Sequence, residues 1–115
     1  MSASGGLQDI ARSVPGAVEA KEIARVFDAV SDPARLRLLS ALARAPLCPC
    51  LLREIEPMTN SALSYHLRVL KRGGLVATAA RSSYRIYEAT PLGRRLLAFA
   101  RRDPSLGSRL PGSRG

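Results

Sequence analysis

Two cysteines separated by one residue are the side chains in this sequence best suited to hold an ion. Cys48 and Cys50 lie in the segment 46–52, PLCPCLL. The interval between them is too short for a relaxed disulfide, and two cysteines in 115 residues do not form a secreted disulfide framework. We therefore interpret them as free thiols in a reducing compartment. As thiolates they would bind soft ions such as As(III), Cd(II), Zn(II) or Cu(I), and Ni(II) is a further candidate.

A second candidate site is the stretch 58–76, MTNSALSYHLRVLKRGGLV, which predicts a helix with one apolar and one polar side. Leu63, Leu67 and Leu70 form the apolar stripe, and Thr59 suits the N-cap. The polar side fits a DNA groove, although a polar face that simply meets solvent would have the same pattern. The candidate DNA-binding residues here are Thr59, Asn60, Ser61, Ser64, Tyr65, Arg68 and Lys71.

The charge of the chain favours a polyanion as partner. Lys and Arg number 18 against 9 Asp and Glu, which gives a formal net charge of +9. Sixteen of the cations are Arg. Genomic base composition can raise the share of Arg, but an arginine fork also matches phosphate oxygens and the guanine edge.

The surrounding elements predict how this polar-faced helix is held. Helices are expected over 17–30, over 33–44 after the cap at Asp32, and over 50–55. The helix over 50–55 and the polar-faced helix then form a helix-turn-helix, whose second helix would contact bases. Gly73 and Gly74 are expected to end that second helix.

A β-hairpin and a last helix are predicted after the glycines. Strands over 75–80 and 84–89 would form a wing, with Arg81 and Arg85 placed to reach phosphates or a minor groove. The last helix is expected from Pro91 to about Asp103. We divide the chain into a flexible arm (1–16, with at most a helical turn at 9–12), one domain (17–103) and a disordered tail (104–115).

The blocks 31–39, SDPARLRLL, and 63–70, LSYHLRVL, followed by 74–76, GLV, resemble the ArsR/SmtB family of bacterial repressors over roughly residues 18–102. The resemblance implies a mainly α, dimeric winged helix-turn-helix with a small hairpin. It also implies a homodimer joined through its first and last helices, which binds an imperfect palindrome in double-stranded DNA and leaves it when an inducer binds. His66 falls where the family also has histidine. Since it would face inward, we expect it to pack or hydrogen-bond rather than to bind metal.

The chain departs from the family in the residues that would bind an inducer. Metal sensors of the family often carry Glu-Leu-Cys-Val-Cys-Asp-Leu at the thiol segment. Here both flanking acids are missing, proline separates the thiols, and no third cysteine exists. The family's other site, His and Asp pairs on the last helix, is absent from 92–102. An ion that draws the thiols together would shift the short helix and, through its packing, the polar-faced helix.

Four alternatives to metal control remain open. They are thiol oxidation, an accessory partner protein, a small organic ligand, and no effector site in this chain at all, in which case the two cysteines are only small, half-buried residues. The organic ligand is suggested by residues 89–95, ATPLGRR, which also resemble the start of the last helix in MarR-type repressors. Those repressors respond to small organic ligands.

Other functional classes fit the sequence less well. No catalytic triad, glycine-rich phosphate loop or acid pair can be assembled around the single His, so an enzyme is not expected. With three Tyr and two Phe, the chain lacks the exposed aromatic pairs that stack on single-stranded bases in RNA-binding proteins. No apolar run approaches the roughly 20 residues of a membrane span, and residues 1–13 lack a signal-peptide layout. We expect a cytoplasmic protein that binds no membrane.

Overall fold

The computed structural model describes residues 6–81 and 84–107 as a set of helices with a two-stranded antiparallel hairpin. This confirms the predicted mainly α fold with a small wing, and α3 and β2 have the predicted bounds. None of the helices in these ranges is long and apolar enough to cross a bilayer. The elements are α1 Leu7–Ser13, α2 Ala17–Ala29, α3 Pro33–Arg44, α4 Pro49–Ile55, α5 Asn60–Arg72, β1 Val76–Arg81, β2 Tyr84–Ala89, α6 Pro91–Arg102 and α7 Pro104–Gly107.

Side-chain caps fix where three of the helices begin. The Asp32 carboxylate accepts the backbone N–H groups of Ala34 at 2.7 Å and Arg35 at 3.2 Å at the start of α3. The Thr59 hydroxyl accepts the N–H of Ala62 at 3.1 Å at the start of α5. Thr90 caps α6 in the same way. Each cap satisfies backbone donors that have no partner inside the first turn of the helix.

The core forms around α3, which packs against α4, α5, α6 and β2. Leucines of α3 meet the predicted leucine stripe of α5 inside the molecule. The leucine spacing of α3 predicts Leu36, Leu38, Leu39 and Leu42 as its core residues. Leu36 is instead 38% exposed, because it lies on the side of α3 that no other element covers fully. The largest fully buried side chains are Leu38, Leu39, Leu42, Leu52, Leu70 and Leu75.

Two glycines allow α5, the wing and α6 to meet closely. Gly74 has φ of +76°, the left-handed conformation that ends α5 without strain on a side chain. Gly93 lies against the strand end, where a Cβ atom would stand 2.4 Å from the Leu75 carbonyl oxygen. Thr90 also donates its hydroxyl to the Gly74 carbonyl at 2.6 Å. The beginning of α6 is therefore fixed to the end of α5.

The terminal segments contain more helix than predicted. In place of a single turn at 9–12, α1 runs over Leu7–Ser13, with an ion pair between Arg12 and Asp9. In the predicted disordered tail, Pro104–Gly107 forms α7, and the Asp103 carboxylate accepts the Ser105 N–H at 2.9 Å. Local hydrogen bonds of this kind suffice for a short helix. The remainder of that tail, 108–115, lies outside the described residues.

Several large apolar side chains on α2 and α6 are exposed in the part of the chain that the structure describes. The apolar spacing over 17–30 predicts one stripe of Ala20, Ile23, Ala24, Phe27 and Val30. Of these only Val30 packs inward, together with Val26 and Ala29, and the other four are exposed. Phe27 is 60% and Phe99 63% exposed, and Leu92 is exposed as well. We call Ile23, Phe27, Leu92 and Phe99 the apolar face.

Candidate nucleic-acid interface

The outward side of α5 carries the predicted DNA-contacting side chains. Burial of Leu63, Leu67 and Leu70 fixes the rotation of the helix about its axis. Since these leucines recur at helical spacing, the opposite side must face solvent. We call that side the reading face, and its members are all exposed. They are Asn60, Ser61, Ser64, Tyr65, Arg68 and Lys71, with Thr59 exposed at the N-cap.

A basic cleft separates α5 from the wing. It has a volume of about 280 Å³ and contains cations from both elements. Lys71 donates to the Thr78 hydroxyl at 3.2 Å, which ties the end of α5 to β1. Because three cations surround one open concavity, the cleft can hold a phosphate by charge and hydrogen bonding. Its lining residues are Ser64, Leu67, Arg68, Lys71, Arg85 and Tyr87.

The two predicted wing arginines lie on different strands. Arg85 is exposed on β2 and lines the basic cleft. Arg81 ends β1 and pairs in register with Tyr84. The side chain of Arg81 lies outside the described residues, as do residues 82 and 83. The prediction for Arg81 therefore remains one made from the sequence.

Cys48 and Cys50 lie side by side at the start of α4, with their Sγ atoms 3.1 Å apart. The hydrogen bond between the two sulfurs lowers the pKa of the Cys48 thiol and raises the pKa of the Cys50 thiol. Cys48 is therefore the more acidic thiol of the pair. Within 6–81 and 84–107, no group of three His, Cys, Asp or Glu side chains is arranged to hold a metal. The pair thus offers two soft ligands of the three or four that such ions usually take.

The thiol segment is joined to the wing through the backbone. Leu47, next to Cys48, exchanges two hydrogen bonds of 2.9 Å with Tyr87 of β2. We expected α4 to transmit movement to α5 directly, but α4 packs mainly against α3 and β2. The short distance in sequence between α4 and α5 had suggested direct packing. The shorter route from the thiols to the basic cleft therefore runs through Leu47 and Tyr87.

Sequence reasoning missed one buried cation. Arg35 is only 8% exposed, and its guanidinium hydrogen-bonds the Ala29 carbonyl at 2.8 Å and His66 Nδ1 at 3.1 Å. His66 is half-buried and hydrogen-bonded, the role expected for it. The sequence did contain a sign that Arg35 is buried. Arg35 precedes Leu38 by three residues and Leu39 by four, so it lies on the same inward face of α3.

A helix-turn-helix followed by a two-stranded wing defines the class of winged helix-turn-helix proteins. Residues 32–78 match the family described as bacterial regulatory protein, arsR family. An HTH-type transcriptional regulator of Mycobacterium tuberculosis, Rv2034, is 34% identical over 79 residues, which cover 69% of this chain and 71% of that relative. This chain belongs to the arsR family.

Two relatives and one solved structure support the membership. A transcriptional repressor SmtB homolog of Synechocystis sp. is 47% identical over 58 residues, which cover 50% of this chain and 44% of the relative. An arsenical resistance operon repressor of Staphylococcus xylosus is 32% identical over 68 residues, or 59% of this chain and 65% of the relative. The chain thus spans less than two thirds of either relative. The crystal structure of Mycobacterium tuberculosis Rv0081 has a TM-score of 0.64 at 34% identity and covers 72% of this chain and 85% of that one.

Proposed function

We propose that this protein is a homodimeric transcriptional repressor that binds an imperfect palindrome in double-stranded DNA. It acts by binding, without catalysis, and in the cytoplasm, where bacterial DNA lies. The observation that carries the proposal is the reading face beside the basic cleft. An exposed helix with amide and hydroxyl groups at its N-terminal end and cations toward its C-terminal end suits a major groove flanked by phosphates.

The two parts of this surface would make different contacts. Asn60, Ser61 and Ser64 stand at the beginning of α5, where a recognition helix meets base edges. Their short polar side chains can donate to and accept from bases. Arg68, Lys71 and Arg85, together with Arg81, would neutralise phosphates along the groove. Those charges set affinity for any duplex.

The apolar face supports the homodimer. One reading helix contacts too few base pairs to select an operator, whereas two placed roughly 34 to 36 Å apart read successive major grooves. Ile23 and Phe27 on α2, with Leu92 and Phe99 on α6, leave apolar surface that a second copy would cover. The resemblance implies a dimer joined through the first and last helices predicted from the sequence, and these two helices are α2 and α6 of the structure.

Three substitutions test whether the surface reads DNA as proposed. Asn60→Ala should change which operator is preferred, by about 1–3 kcal/mol at the affected base. Arg85→Ala should weaken all duplexes alike and reduce the salt slope of binding by about 1. We expect the same of Arg81→Ala. Binding to a selected operator and to random DNA is compared at several salt concentrations.

Arg101→Ala serves as the control, because it removes an exposed cation of α6 that does not line the cleft. It should leave operator affinity and the salt slope nearly unchanged. If Asn60→Ala lost equal affinity for operator and random DNA, α5 would not read bases and the proposed repressor would lack its source of selectivity.

A soft ion bound by Cys48 and Cys50 is the proposed inducer. The adjacent sulfur atoms and the acidified Cys48 thiol support it, and one relative is named as an arsenical resistance repressor. With two thiolates and no flanking acids, binding should be weak unless the partner protomer adds a ligand. Movement of Cys48 would pull on Leu47, and the Leu47–Tyr87 bridge would carry it to the basic cleft. A coupling of roughly 1–3 kcal/mol gives a five- to hundredfold loss of operator affinity.

The test is to add As(III), Cd(II), Zn(II), Cu(I) and Ni(II) to wild type and to a Cys48→Ser/Cys50→Ser variant while operator release is followed. Release from wild type alone supports the thiol site. If both proteins respond alike, or neither does, the inducer is not held by this pair. Treatment with an oxidant, a small organic ligand or an accessory protein then separates the remaining alternatives.

A further inference from the structure

The backbone of Tyr87 is paired on both sides of β2. On one side Tyr87 lies opposite Thr78 of β1, and on the other it exchanges two hydrogen bonds of 2.9 Å with Leu47. Elsewhere in the described hairpin, β2 pairs with β1 alone. A strand residue with partners on both sides has no free edge and little room to shift. Tyr87 is therefore a fixed point of the wing.

The side chain of Tyr87 extends from the core to the basic cleft. It is half-buried and packs against the core cluster, and it also lines the cleft. Within 6–81 and 84–107, every buried side-chain oxygen and nitrogen has a hydrogen-bond partner, and the Tyr87 hydroxyl bonds to no side chain described there. A tyrosine in such a place has its apolar ring held by packing and its hydroxyl open to solvent. The hydroxyl is thus a rigidly held donor in the cleft.

The cations of the cleft surround the same side of the hairpin. Arg85 is two residues from Tyr87 on β2, so both side chains lie on one face of the strand. Thr78, directly opposite Tyr87, accepts a hydrogen bond from Lys71 of α5 at 3.2 Å. Lysine and arginine side chains have donors but no acceptor, so none of these cations can accept the hydroxyl proton. An anion that the cations attract supplies the missing acceptor.

We infer that the Tyr87 hydroxyl donates a hydrogen bond to a DNA phosphate held in the basic cleft, which makes Tyr87 a positioning residue for the wing. The inference rests on the proposed DNA-binding function and adds a contact that carries no charge. Long, flexible cations attract phosphates over a range of positions, whereas a packed tyrosine ring presents its hydroxyl at one place. Phosphate contacts of this kind fix the register of a protein on the duplex without reading its sequence.

Removal of the hydroxyl alone tests the contact. Tyr87→Phe keeps the ring, so its thermal midpoint should equal that of wild type. Its affinity should fall about tenfold for a selected operator and for random DNA alike, because one donor to a charged acceptor is lost. The salt slope of binding should stay the same, since the variant changes no charge and the same counterions are released. Arg85→Ala is the comparison, because it should lower both the affinity and the salt slope.

Duplexes in which one phosphate at a time is a neutral methylphosphonate locate the contact. At the phosphate held in the cleft, wild type and Tyr87→Phe should bind within about twofold of each other, because the hydroxyl no longer meets an anion. Arg85→Ala should lose most of its effect at that same phosphate. At other phosphates the difference of about tenfold between wild type and Tyr87→Phe should persist.

Three outcomes would overturn the inference. They are wild-type affinity of Tyr87→Phe, a loss confined to the selected operator, and a loss that is equal at every methylphosphonate position. The second would show a base contact, and the third a packing role. A wild type that prefers no duplex over random DNA contradicts the proposed repressor instead. The methylphosphonate series on a random duplex still decides the role of Tyr87 in that case.

Discussion

Asp32 is a single side chain on which the start of the central helix depends. We expect Asp32→Ala to lower the free energy of unfolding by about 1 kcal/mol, because two backbone N–H groups of α3 lose their acceptor. Asp32→Asn should lower the free energy of unfolding by less, because asparagine also caps helices.

The hydrogen bond from the Arg35 backbone holds the pKa of Asp32 below its usual 3.8, so the folded state binds the proton less readily. The stabilisation is therefore present above about pH 4 and is lost as pH falls through the lowered pKa. Urea unfolding across that range measures it.

The two thiols should differ in reactivity. Cys48 has a lowered pKa because of its hydrogen bond with Cys50, so more of it is thiolate at neutral pH than of an ordinary cysteine. We expect iodoacetamide to modify Cys48 before Cys50, as read by mass spectrometry of peptides. Cys50→Ala removes the hydrogen-bond partner, and the rate at Cys48 should fall toward that of an ordinary thiol. Modification of Cys50 first would contradict the lower pKa of Cys48.

Residue roles that depend on near neighbours were predictable from the sequence, and those that depend on distant ones were not. Thr59 and Asp32 cap helices through groups two or three residues away, so spacing alone identifies them. The partner of Arg35 is His66, 31 residues further along the chain. The sequence placed His66 on an inward side but did not indicate which donor it would meet.

At the scale of elements, Gly93 controls how closely α6 approaches β1. A Cβ atom there would meet the Leu75 carbonyl oxygen at 2.4 Å and a methyl group of Leu39 at 3.1 Å. Gly93→Ala should therefore lower the free energy of unfolding by about 1–3 kcal/mol despite alanine's higher helix propensity. Gly16→Ala is the steric control, since a Cβ atom there has no neighbour within 4 Å. Gly16 is the N-cap of α2, so this variant should lose less than about 1 kcal/mol, from the cap alone. Equal stability of both variants would show that α6 adjusts freely.

The helices and strands of the domain were predictable because apolar spacing, caps and glycines agree with one another. The helix-turn-helix and the hairpin both follow from such local signals. The pairing of Leu47 with Tyr87 could not be predicted from local signals, because a single bridging residue leaves no alternating pattern in the sequence. The direction in which α2 turns its apolar residues was also hidden, since the apolar side chains from Ala29 through Val26 and Phe27 to Ala24 cover more than half of the helix circumference.

For the whole molecule, we predict a symmetric dimer in solution that a charge on the apolar face disrupts. Phe99 is 63% exposed on α6, where glutamate would place an unpaired charge in the proposed contact. Light scattering at micromolar concentration should give a dimer mass for wild type and a lower mass for Phe99→Glu. Ile55→Glu, on an exposed apolar side chain of α4, should remain dimeric. A monomeric wild type would contradict the prediction.

The apolar face also bears on how folding and assembly are linked. In the proposed dimer a second copy would cover much of the large apolar surface of α2 and α6, so a separated subunit would lose a substantial part of its stabilisation. Dissociation would then approach unfolding, and the thermal midpoint should rise with protein concentration. Under those conditions a cell contains few intact single subunits. A signal that ends DNA binding must therefore change the shape of an assembled pair, which leaves the released protein ready to bind DNA again once the signal is gone.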